Sequence, residues 1–196
     1  MSFPKQNFTS TDNSGTYAVK SGAVLKIESI LGEDHIVEFR AFLTNFNQSF
    51  SSTWNTEEVF GRNDPIATFQ NTKRTISLAW DIPAGSLGEA EDNLERTALL
   101  AQMLYPAYEG NIISRPPLVK DKFANLIKNS SNDEGLLGWV DSLTINPVLD
   151  MGMFNVAGQF FPKVINVSFN FHVLHQHDLG VGNDNAQRAK VTKFPF

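Results

Sequence analysis

The sequence predicts a mainly β domain of the α+β kind, a barrel or sandwich of about six or more strands with one flanking helix, and three observations carry this. Several segments alternate apolar and polar residues with period 2, as strands with one buried face do. Only one segment, Leu87 to Tyr105, repeats apolar residues at helical spacing. The 16 phenylalanines supply large rings that suit a pleated surface. Helices do not alternate with strands along the chain, which excludes a doubly wound α/β fold.

In order, residues 1–22 mix Ser, Thr, Asn and Gly with isolated Phe3, Phe8 and Tyr17, and are expected to form an N-terminal arm. The folded domain is expected over 23–178 and a second arm over 179–196, tipped by Phe194-Pro195-Phe196. Ala23 to Ile30 and His35 to Phe46 read as two strands of a hairpin joined by Leu31-Gly32-Glu33-Asp34. In the second, Val37, Phe39, Ala41 and Leu43 fall on one face, with Glu38, Arg40 and Thr44 on the other. Gln48 to Thr56 is expected to be a polar loop, followed by a turn at Gly61-Arg62-Asn63-Asp64-Pro65. Arg74 to Pro83 alternates cleanly, placing Ile76, Leu78, Trp80 and Ile82 in the core.

Ser86 followed three residues later by Glu89 predicts a capping box, and Pro106 stops the helix it opens. Leu87, Ala90, Leu94, Thr97/Ala98, Ala101 and Leu104/Tyr105 are its expected buried stripe. Glu89, Glu91 and Asp92 favour the positive end of its dipole. Strands are expected again over Leu118 to Ile127, Leu136 to Ile145 and Val164 to Leu174. The last sets Ile165, Val167, Phe169, Phe171 and Val173 inward and Asn166, Ser168, Asn170 and His172 outward, a polar but uncharged face.

Composition excludes several kinds of chemistry. A chain with 41% hydrophobic residues can bury a core. A formal charge of −5 argues against a dedicated nucleic-acid binder, which gains affinity by neutralising phosphates. Cysteine is absent, which removes disulfides, thiolate metal sites and cysteine nucleophiles. Met1 to Tyr17 lacks signal-peptide character, and no apolar run is long enough for a membrane helix, so no membrane partner is expected.

Catalysis finds no home. His172, His175, His177 and Asp178 form the one dense cluster of potential metal ligands, but His172 and His175 fall on opposite faces of a strand. No metal and no cofactor is therefore expected. Glu89, Glu91, Asp92 and Glu95 read as a solvated helix face rather than an acid/base pair, which would need a pocket. Gly180-Val181-Gly182 lacks the third glycine of a dinucleotide fingerprint. Arg62, Asp64 and Arg74, flanking a turn and a strand start, could form an Arg–carboxylate pair that fixes a loop or an interface; as a surface pair it would contribute little.

Phe60-Gly61-Arg62-Asn63-Asp64-Pro65-Ile66, then Asn71 to Trp80, the helix ending Leu104-Tyr105-Pro106, Gly152-Met153-Phe154, Phe161-Pro162-Lys163 and Val173-Leu174-His175 form a series. This order, over Trp54 to Gly180, resembles the tail-tube initiator or tube-to-baseplate junction proteins of contractile-tailed bacteriophages and related injection machines. Residues before Trp54 and after Gly180 carry no matching signature. The resemblance implies a tail-tube fold whose sheets join edge to edge into a ring, expected to be a hexamer. It also implies a place in the virion tail, with the tail tube protein, baseplate hub proteins and tape-measure protein as partners. DNA would pass through the lumen without specific binding. Gly61, Arg62, Asp64 and Arg74 are the expected subunit contact. A main tube or tail terminator protein is the alternative within this class, and a carbohydrate-binding β-sandwich using coplanar Trp54 and Trp139 the alternative outside it.

Overall fold

The computed structural model describes residues 24–32, 35–40, 42–129, 134–176 and 179. The expected arms, 1–22 and 179–196, lie outside these except for Leu179. Eleven strands and one helix follow in the order β1 (Val24–Ser29), β2 (Ile36–Arg40), β3 (Phe42–Glu57), β4 (Ile66–Pro83), α1 (Leu87–Gln102), β5 (Ala107–Glu109), β6 (Ile112–Arg115), β7 (Val119–Phe123), β8 (Leu136–Pro147), β9 (Met153–Val156), β10 (Gln159–Pro162) and β11 (Val164–Val173). Among the described residues the fold is mainly β with a single α-helix, as the periodicities predict.

Seven strands form one antiparallel sheet in the order β2-β1-β7-β8-β11-β4-β3, and β5–β6 and β9–β10 are separate small hairpins. The two margins of the large sheet, β2 and β3, are successive in the chain, so the sheet is rolled rather than flat. Alternation dictates what the roll encloses. Leu25 and Ile27 of β1, Val37 and Phe39 of β2, Ile76, Leu78 and Trp80 of β4 and Ile165 to Val173 of β11 send every second side chain inward, all nearly or wholly buried. Trp80 sits between Phe39 and Phe169, at ring-centroid distances of 5.5 and 5.4 Å. Each such ring stabilises by roughly 2–3 kcal/mol through burial.

The predicted strand His35 to Phe46 is in fact two. Its first part, β2, pairs with β1, while the part from Phe42 onward pairs with β4 on the other margin. A register shift between Leu43 and Asn45 falls in this region. Such a bulge bends a strand and raises its twist, as a rolled sheet needs.

Helix α1 covers β2 and β10. Ser86 caps it, its Oγ accepting from the Glu89 backbone N–H at 3.3 Å. The predicted box is modified: the Glu89 carboxylate accepts from the Gly85 N–H at 2.8 Å and pairs with Arg40 at 3.0 Å, tying the helix start to β2. The buried stripe also differs from the predicted one. Ala90, Asn93, Arg96, Thr97 and Leu100 face inward, whereas Leu94 and Ala98 are exposed. The reason is polar satisfaction. Asn93 Nδ2 donates to the Pro83 carbonyl at 3.2 Å and Arg96 donates to Asn93 Oδ1 at 3.3 Å, so two polar side chains take places that a count of apolar residues gives to leucine and alanine.

Candidate assembly surface

β3 and β4 run for 16 and 18 residues, well beyond the five or six of an ordinary strand. The excess leaves the barrel. β4 pairs with β11 only as far as Thr75↔His172, and from Arg74 back to Ile66 its strand partner among the described residues is β3. These nine residues project about 30 Å as a two-stranded ribbon. All eight residues of β4 from Ile66 to Lys73 are exposed. The expected polar loop Gln48 to Thr56 is therefore strand, paired from Gln48↔Ile76 to Thr56↔Ala67. Its Ser, Thr, Asn and Gln residues give no apolar period, because neither face of the ribbon is covered within one copy.

The ribbon exposes large apolar groups. Phe50, Trp54, Ile66 and Phe69 are each about half exposed, and Phe60 in the tip is fully so. Trp54 and Phe69 shield each other edge to face at 5.2 Å. The tip turns where the sequence predicts. Gly61 takes φ +87°, which a side chain would resist, and the Arg62 N–H donates to the Val59 carbonyl at 3.2 Å.

The root of the ribbon is polar and buried. Arg74 is only 1% exposed; its guanidinium donates to Gln48 Oε1 at 3.0 Å and lies 5.5 Å from the Phe50 ring centroid. Gln48 Nε2 donates onward to the Leu126 carbonyl at 3.4 Å. Burial lowers the Arg74 pKa, yet a guanidinium remains cationic. Gly61, Arg62 and Asp64 thus gather at the exposed tip, while Arg74 stands at the root, about 27 Å away along β4. The four do not form one cluster, and Arg74 cannot pair with Asp64 in the same copy.

Four adjacent strands, β8-β11-β4-β3, present a broad outer face of mostly uncharged polar side chains. Ser77 donates to Asn170 Oδ1 at 2.7 Å, Asn166 to Asp81 Oδ1 at 2.7 Å, and Thr75 shares a hydrogen bond with His172 at 3.3 Å. By contrast, the outer side of β1 and β7 carries Lys26, Glu28, Lys120 and Lys122, with Lys120 paired to Glu134 at 2.8 Å.

His172 stacks on Trp139 at 5.0 Å, and its Nε2 lies 3.6 Å from Asp141. Among the described residues no three His or acidic groups come together as a metal site; His177 and Asp178 lie outside them, as does Gly180-Val181-Gly182. Trp54 on the ribbon and Trp139 on β8 already have ring partners, Phe69 and His172, on separate parts of the sheet. Glu91, Asp92 and Glu95 are exposed on α1.

One group escaped sequence reading. Asp121 of β7 is fully buried between Ile27 and Leu136, and neither carboxylate oxygen has a hydrogen-bond partner. Desolvation raises its pKa to about 8, outweighing the lowering effect of the nearby Lys122 backbone N–H. The apolar positions Val119 and Phe123, two residues to either side, were the available signal.

No family model matches the chain, and no curated protein is significantly similar to it.

Proposed function

We propose that this chain is a structural subunit that closes into a ring by strand pairing between copies, and that the ring is the tube-to-baseplate junction of a phage-type tail. The observation that carries the reading is the β3–β4 ribbon. A two-stranded ribbon alone is marginal in water. Among the described residues β3 stands at the margin of the sheet, and its 16 residues, Phe42–Glu57, contain no Lys, Arg or Pro, the residues that commonly protect an edge. Its bulges at Leu43/Asn45 and Thr53/Trp54 are the remaining safeguard. On the other side of the ribbon, β4 from Ile66 to Lys73 pairs, among the described residues, with β3 alone. An open β3 edge and an open β4 edge on one subunit favour head-to-tail pairing, which generates rings when the rotation closes.

The mostly uncharged face of β8-β11-β4-β3, whose charged groups include the carboxylates of Asp81 and Asp141, supports a role as the lumen wall. Without a row of cations, a passing polyanion finds few phosphate contacts to hold it. A hexamer, with the tail tube protein, baseplate hub and tape-measure protein as neighbours, rests on the resemblance described above. Copy number distinguishes an initiator or terminator from a main tube protein: one ring per particle against many.

The test is seeding. Purified protein is imaged by electron microscopy, then added substoichiometrically to a candidate tube subunit. Rings that shorten the lag of tube polymerisation support an initiator; protein that stays monomeric at high concentration, with and without that subunit, overturns the reading.

A further inference from the structure

We infer that Phe60, at the tip of the β3–β4 ribbon, seats in the groove between the C-terminal end of α1 and the β1–β2 turn of a second copy. This contact rests on the closure of copies into a ring proposed above, and it fixes where each ribbon ends. The groove holds about 280 Å³ and is lined by Leu31, His35, Leu99, Met103, Tyr105 and Pro106, among others. Among the described residues its walls carry no Asp, Glu, Lys or Arg. It has room for one aromatic ring, which brings a large apolar area with few torsions to immobilise.

Exposure, position and charge single out this occupant. Phe60 is fully exposed, so it does not fill the groove of its own copy. The ribbon carries its tip about 30 Å from the barrel, the diameter of a small domain, which is the reach a neighbouring copy requires. It also leaves the barrel at the end where the groove lies. The groove residue Ser29 stands on the row Ser29↔Val119, Val119↔Gly138 and Gly138↔Val173, and β4 parts from β11 at the adjoining pair Thr75↔His172. Subunits of a ring stand at one height, so a tip and a groove at the same end of the barrel meet between neighbours. Arg62, two residues from Phe60, is exposed, and the last turn of α1 carries no basic residue. Seating Phe60 beside Leu99 and Met103 brings the Arg62 guanidinium to the negative end of the helix dipole, where a cation is favoured.

The chain has no cysteine, so two copies can be tagged separately. One protein carries Asn63→Cys at the exposed tip, and the other Gln102→Cys on the exposed rim of the groove. In a control partner, Asp150→Cys puts the thiol on the exposed β8–β9 connection, at the opposite end of the barrel. Assembled together and mildly oxidised, tip and groove proteins form a disulfide-linked dimer about tenfold faster than tip and control proteins, because docking raises the local thiol concentration. Adding Phe60→Ser to the tip protein abolishes that preference. Rings that link the two pairings at equal rates, or a preference that survives Phe60→Ser, overturn the docking and leave the ring standing. Rings in which the Gln102→Cys thiol is shielded from maleimide but never linked to the tip do the same, and put another segment or another protein in the groove. Unsubstituted protein that forms no ring overturns the docking and the ring together.

Discussion

Arg62 and Arg74 carry the same charge in the same hairpin, and their surroundings give them opposite roles. Arg74 is buried and holds Gln48 against Phe50 at the ribbon root. Arg74→Ala strands the Gln48 carbonyl oxygen and opens a cavity, and should cost about 2–4 kcal/mol, seen as a lower midpoint in urea. Arg62→Glu changes an exposed tip and should stay within about 0.5 kcal/mol of the parent. It should nevertheless stop assembly, read as loss of the ring in sizing or microscopy; unchanged rings would remove Arg62 from the contact.

Asp121 sets a pH dependence. Its folded pKa is raised from 3.8 to about 8, so between these values the unfolded chain binds fewer protons than the native one. Native stability must therefore fall as pH rises through this window and level off above it, where the carboxylate is ionised in both states. At roughly 1.4 kcal/mol per unit the loss amounts to several kcal/mol. Asp121→Asn keeps the shape and removes the titration. Melting of that variant should change little between pH 5 and 9 relative to the parent; a parallel decline in both proteins would show that Asp121 is not the cause.

At the scale of elements, β3 is decisive. Asn47 and Ser51 are exposed on the outer side of its free edge. Asn47→Lys with Ser51→Lys should leave melting nearly unchanged while holding the protein monomeric, since charges on an edge oppose strand addition. β8 offers a test of packing instead. A Cβ at Gly138 would collide with the His172 carbonyl oxygen and the Phe171 ring, so Gly138→Ala should destabilise by about 2–3 kcal/mol, measured by urea unfolding.

These elements also mark how far the sequence could be read. β11 and the barrel half of β4 were legible because each has one dry and one wet face, and Ile165 to Val173 and Ile76 to Ile82 turn inward as their spacing predicts. The ribbon half was not legible. Both its faces are wet in a single copy, so Gln48 to Thr56 has the composition of a loop although its backbone is paired throughout. In α1 the helical period was clear but its phase was displaced, because Asn93 and Arg96 are buried through hydrogen bonds that hydropathy does not register. Grouping Arg62, Asp64 and Arg74 failed for a related reason: closeness in sequence becomes distance along an extended strand.

For the whole molecule, the domain is complete as a barrel and incomplete as a surface. Its core is closed around Trp80, and α1 covers β2. Beyond the core, the ribbon, the β5–β6 hairpin with Tyr108, Ile112 and Ile113, and the β9–β10 region with Leu149, Met151 and Phe160 expose apolar side chains together. Exposure on this scale marks contact surfaces. Hydrogen–deuterium exchange of the ribbon, compared between monomer and assembled particle, tests this most directly. The account predicts that amides within residues 49–57 and 66–73 exchange rapidly in the monomer and become strongly protected on assembly. Particles in which these amides exchange as fast as in the monomer would contradict it.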